Sequence, residues 1–103
     1  MMPNATYVFA MILTFACRDT ERIWDMLPTR RFPSEVQRAA RRKLVMIDAA
    51  QAVQGLRMPP GNRLEALKGD RTGQHSIRVN DQYRICFVWT GRDAEAVELV
   101  DYH

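Results

Sequence analysis

The chain has 103 residues, 47% of them apolar, and a formal charge of +3. That is enough for one modest core and too little for a second independent domain. Two histidines and two cysteines, none in a CxxC or Cys/His ligand spacing, rule out a three-histidine metal site and argue against a zinc finger.

In chain order, Tyr7 to Cys17 is apolar except for Thr14. The run is too short to cross a bilayer, and no basic residue precedes Arg18 to make a secretory n-region. Met11 follows the first methionine closely, so residues 1–10 read as an N-terminal extension, with Met11 an alternative start and 11–103 the single domain. A slightly long first strand is the other reading. Met11 to Cys17 is rich in strand formers and predicts that strand.

Asp19 or Thr20 is placed to cap a short helix in which Ile23, Trp24 and Leu27 recur at helical spacing. Pro28 to Pro33 is a loop. Ser34-Glu-Val-Gln37 matches a capping box. Val36, Ala40, Leu44, Ile47 and Gln51 then mark the buried stripe of the longest helix, ending near Gln54-Gly55. Its outer face carries Arg38, Arg41, Arg42 and Lys43, either a solvated surface or one that tracks phosphates.

After the loop Met58 to Asn62 come four β-like segments. They are Leu64 to Leu67, Gln74 to Val79, Tyr83 to Trp89 and Ala96 to Tyr102, with turn chemistry at Asn80-Asp81 and Thr90 to Asp93. Tyr83, Ile85, Phe87 and Trp89 face one way, and Arg84, Cys86 and Val88 the other. Both cysteines, Cys17 and Cys86, read as buried free thiols. The order predicts an α+β fold: two N-terminal helices packed on one face of a small, mainly antiparallel curved sheet, the other face open for a site.

No GxSxG, Walker loop, HExxH or dinucleotide glycine pattern is present. Thirteen of the 15 basic residues are Arg, the better side chain for gripping phosphate and stacking on bases, although a GC-rich genome gives the same bias. Lys68, Arg71, Arg78 and Arg84 fall on or beside the sheet, and the chain closes on Asp101, Tyr102 and His103. This set suits RNA cleavage. RNA brings its own nucleophile, the 2′-OH; Arg and Lys can stabilise the crowded phosphate, and His, Tyr or Asp can move protons. A frayed, functionless tail is the ordinary reading of such an ending.

The run Pro59-Pro-Gly-Asn-Arg-Leu-Glu-Ala-Leu-Lys-Gly-Asp-Arg-Thr-Gly73, then Ser76-Ile-Arg-Val-Asn80, Tyr83-Arg-Ile-Cys-Phe87 and Asp101-Tyr-His103, resembles the HigB-type toxins of the RelE/ParE superfamily, from about Met11 to the end. The resemblance implies the compact RelE-like fold. It also implies a cytoplasmic toxin that cleaves mRNA on the 70S ribosome with neither metal nor other cofactor. A helix-turn-helix antitoxin of the HigA type would neutralise it, and operator DNA would be met only through that complex. Matched to the family motifs, Lys68 and Arg84 are expected to stabilise the phosphate. Asp101 and His103 would transfer protons or orient substrate, and Tyr102 would stack on a base. Arg71 and Arg78, with Arg41 and Arg42 on the helix, are candidate RNA contacts from charge and face alone.

One departure stands out. Some HigB toxins carry a catalytic histidine three residues before the lysine, and here that residue is Glu65. It is a candidate base, or a structural partner of Arg63 or Lys68. Two other functions remain: a ParE-like inhibitor of DNA gyrase without catalysis, disfavoured by Lys68, Arg84 and His103 together, and a degenerate toxin kept as a regulatory partner of its antitoxin, which Glu65 favours.

Overall fold

A computed structural model describes residues 11–102 of the protein; the expected extension over 1–10 and the side chain of His103 lie outside the described residues. Helix α1 spans Arg18–Trp24 and helix α2 Ser34–Ala49. Four strands follow: β1 Glu65–Ala66, β2 Gln74–Arg78, β3 Tyr83–Trp89 and β4 Ala94–Asp101. The sheet has the order β1-β2-β3-β4, antiparallel throughout. This is the expected α+β arrangement, and β3 has the bounds that its alternation predicts.

The first predicted strand is only partly one. Residues 11–16 run parallel to the outer edge of β4, but they pair at two isolated bridges, Ile12 with Ala94 and Phe15 with Val97. The interruption comes from β4, where Ala96 adopts φ 51° and its amide is taken by Thr14 Oγ1 at 2.8 Å rather than by a backbone carbonyl.

Helix α1 is not capped by Asp19 or Thr20. Cys17 is the N-cap and makes no side-chain bond to the helix. Thr20 is fully buried, and its Oγ1 accepts the amide of Leu99 at 3.0 Å, tying the helix to β4. The helix stops at Trp24, before Leu27. Met26 turns left-handed at φ 60°, and the amide of Leu27 reaches back to the Arg22 carbonyl at 2.8 Å.

The capping box is also absent. Pro33 precedes α2 without a side-chain cap, and Gln37 Nε2 instead donates to the carbonyls of Phe32 (2.7 Å) and Thr29 (3.1 Å), fastening the loop ahead of the helix. Val36, Ala40, Leu44 and Ile47 are buried as predicted, while Gln51 is exposed beyond the helix end. The chain leaves the helical path at Ala50 and enters a 3-10 turn, Val53–Arg57, that buries Leu56.

The core lies between the helices and the inner sheet face, with Leu44 and Ile47 from α2 in one cluster with Ile77, Ile85, Phe87, Val97 and Leu99. The apolar half of the β alternation therefore fixes which face is left for chemistry. Arg78, Arg84, Cys86 and Glu98 project from the other side, away from α1 and α2.

Candidate functional site

The strand register assembles the site. Across the outer face, Glu65 is paired with Ser76, Ser76 with Cys86 and Cys86 with Glu98. The adjacent row pairs Arg78 with Arg84 and Arg84 with Val100. Residues two apart share a face, so Tyr102 emerges from the end of β4 on the side of Val100 and Arg84. The result is an open cleft of about 470 Å³, lined by Arg63, Glu65, Arg78, Asn80, Asp81, Arg84 and Tyr102.

Arg84 is its centre. The side chain is only 12% exposed. Its Nε donates to Ser76 Oγ at 2.8 Å, and its Nη2 to the carbonyl of Arg63 at 2.7 Å. These acceptors are neutral, so they orient the guanidinium without cancelling its charge. Among the described residues the carboxylate that pairs with it is Glu65, 3.4 Å away and 61% exposed, a pair that water and salt screen heavily. Glu65 thus pairs with Arg84, and not with Arg63 or Lys68. The guanidinium carbon lies 5.9 Å from the centre of the Tyr102 ring.

Two more arginines of this face carry acidic partners. Arg78 is bonded to Asp81 in the following turn, and Arg71 reaches Glu98 at 3.5 Å and Gln74 Oε1 at 3.0 Å. Ser76 and Cys86 are fully buried on this outer face, Ser76 beside the Arg84 guanidinium that its Oγ accepts. Burial pushes the Cys86 thiol up, with Glu98 adding to the effect and Arg71 and Arg84 opposing it. Cys17 is half-buried, more open than expected. On α2, Lys43 is held below the usual lysine range by burial first, then by Arg42 and Arg78.

Of the residues singled out in the sequence, Glu65, Arg78, Arg84 and Tyr102 meet in the cleft. Arg71 lies on the same face, over Glu98. Lys68 is exposed in the turn between β1 and β2, at the end of the sheet opposite the Asn80 turn. Asp101 is opposite Tyr83 in the register and accepts Gln82 Nε2 at 3.0 Å, outside the cleft lining. Arg41 is turned away: its guanidinium stacks 5.2 Å from the Trp24 ring and its Nε donates to the Trp24 carbonyl at 3.2 Å. Arg42 is exposed on α2. His103 cannot be placed, being outside the described residues. Arg63 and Ser76 belong to the site although neither was singled out; Ser76 shares the alternation face of Arg78, which was the available signal.

A second concavity, about 320 Å³, lies between the helices, with Ile23, Met26, Leu27 and Pro28 as its wall and Arg38 and Arg41 at its rim. Its lining includes no histidine, carboxylate or tyrosine. Among the described residues no three His, Cys, Asp or Glu side chains converge as metal ligands, and no helix is long and apolar enough to cross a membrane.

A family model described as the RelE-like toxin of type II toxin–antitoxin system HigB matches residues 13–103. The chain is 55% identical over 60 residues to Toxin HigB-1 of Vibrio cholerae serotype O1, a match covering 58% of this chain and 63% of that toxin. It is 36% identical over 69 residues to an uncharacterized protein of Haemophilus influenzae, covering 67% and 68% of the two chains.

Proposed function

This chain belongs to the HigB-like family of RelE-like toxins of type II toxin–antitoxin systems, and on that premise we propose that it is a ribosome-dependent endoribonuclease that cuts mRNA without a metal. The observation that carries this is Arg84: an arginine nearly enclosed by protein, aligned by neutral acceptors, and facing an open cleft. Such a group is preorganised for a phosphate whose charge grows during reaction.

In this mechanism the RNA 2′-OH attacks the adjacent phosphate, and the 5′-oxygen leaves with a proton. Arg84 binds the non-bridging oxygens and displaces Glu65 from its guanidinium. Arg63 and Arg78 attract the neighbouring backbone, and Tyr102 stacks on the base that flanks the cut. His103 and Asp101, on either side of Tyr102, transfer protons or orient the substrate; Lys68 and Arg71 hold the strand as it passes along the sheet. The 70S ribosome presents the mRNA in the cytoplasm. An antitoxin of the HigA type silences the toxin, and operator DNA is bound through that complex.

The test is induced expression without an antitoxin, with transcript 5′ ends mapped before and after. New ends inside translated codons, lost when initiation is blocked, are the expected result. Growth arrest with intact transcripts would replace this reading with a non-enzymatic inhibitor of the ParE kind. No arrest would point to a toxin disabled by Glu65, the residue that favours that alternative.

Glu65 itself makes a separable prediction. An exposed pair is worth at most about 1 kcal/mol, so Glu65→Gln should raise RNA affinity and cleavage by no more than about fivefold, and less in high salt. A loss of cleavage on this substitution would instead make Glu65 the general base.

A further inference from the structure

We propose that Asn62 is a positioning residue for Arg84: it holds in place the backbone carbonyl against which the cleft arginine is braced. This deepens the RNA-cleaving reading and rests on it.

Asn62 closes the 3-10 turn Pro60–Asn62 just before β1 and is fully buried. Its side chain is engaged on every polar atom. Oδ1 accepts Lys43 Nζ of α2 at 2.6 Å, and Nδ2 donates to the carbonyls of Leu56 at 3.1 Å and Met58 at 3.3 Å. A buried amide satisfied in this way joins the long helix, the Val53–Arg57 turn and the chain entering the sheet. It lines no part of the cleft.

The next residue shows what this junction does. Arg63 sits at φ 46° and ψ 55°, the left-handed region. That conformation costs an L-residue about 1–2 kcal/mol and persists only where its surroundings over-determine it. Asn62 on one side and β1 on the other supply that constraint. The carbonyl of this strained residue is the one that accepts Arg84 Nη2 at 2.7 Å. If Arg63 relaxed to an ordinary conformation, the carbonyl would swing away. Arg84 would keep Ser76, but its second contact would fall to Glu65, an exposed carboxylate.

The test is a double-mutant cycle on cleavage by the full-length protein, with ribosomes programmed with one mRNA. Asn62→Ala should lower kcat by about 10- to 100-fold while KM moves less than about twofold, because the phosphate stabiliser is misplaced and docking is untouched. Arg84→Lys keeps a cation but cannot make the Arg63 contact, so in that background Asn62→Ala should cost nothing further. Lys43→Met, which removes the donor to Asn62 from the helix surface, covers the case in which Asn62→Ala fails to fold; it should lower kcat about three- to tenfold with the same dependence on Arg84. Losses that multiply in the Arg84→Lys background, or wild-type kcat in a folded Asn62→Ala or Lys43→Met protein, would overturn the proposal alone. A wild-type protein that cuts no RNA would overturn the cleaving reading and this proposal with it.

Discussion

Replacing Arg84 with alanine should abolish toxicity, lowering mRNA cleavage by about 100- to 1000-fold, the usual cost of removing one preorganised donor from a developing oxyanion. The protein should remain folded. Arg84 holds Ser76 Oγ and the Arg63 carbonyl, and water entering from the open cleft can meet both acceptors where they stand once the guanidinium is gone. The stability cost is about 1.5–3 kcal/mol, the range for hydrogen bonds that involve a charged group. Circular dichroism and thermal melting separate the two effects: cleavage lost with a cooperative melt retained is the expected result. His103→Ala should behave likewise, with a loss of about 100- to 10,000-fold if its imidazole moves a proton. A folded Arg84→Ala protein that remains toxic would end the phosphate-binding assignment, and a toxic His103→Ala protein would return the proton transfer to another group.

The largest effect on stability should come from Phe87→Ala. Phe87 is the largest of the fully buried side chains; it lies on the inner face of β3, with its ring 6.2 Å from that of His75 on β2. Truncation removes its transfer energy and leaves a cavity, together about 3–5 kcal/mol. A domain of this size has about 5–15 kcal/mol in all, and each kcal/mol lowers its Tm by about 4–8 °C. The variant should therefore melt about 12–40 °C below wild type, as read by a thermal scan. A drop of under about 5 °C would mean that this part of the core is looser than its complete burial implies. Phe87 and Arg84 stand three residues apart on one strand and face opposite sides of the sheet. The two experiments thus read the two halves of one alternation, stability from one and chemistry from the other.

That alternation explains what was legible in the sequence. Period-two patterning is a local signal, and Tyr83 to Trp89 carries it without interruption; the bounds of β3 and its buried face both follow. The stripe Val36, Ala40, Leu44 and Ile47 did the same for α2. Helix ends were less legible because tertiary contacts decided them. Thr20 had a cap's chemistry but found a better acceptor role beneath Leu99. Gln37 had the second half of a capping box but was drawn to the carbonyls of a loop eight residues back. Leu56 shortened α2 by turning the chain inward. The site divided in the same way. Arg78 and Arg84 declared their face by spacing, and Glu65 drew notice only through the family resemblance. Nothing local in Gly61-Asn-Arg63 announced that a buried amide and a left-handed residue would meet Arg84, because that contact joins positions 21 apart.

The edges of the sheet have a bearing on how the protein behaves when it accumulates alone. Beyond β4 lies the segment 11–16, already paired at two points, with the amide of Ile12 donated to Asp48 Oδ1 at 3.0 Å. At the other side β1 is two residues long. A free edge is a template on which a strand from another molecule can add, and long flat edges lead to fibrils. Here one template is two residues and the other is interrupted. Among the described residues, therefore, neither edge offers a second copy of the toxin a long, flat strand to extend.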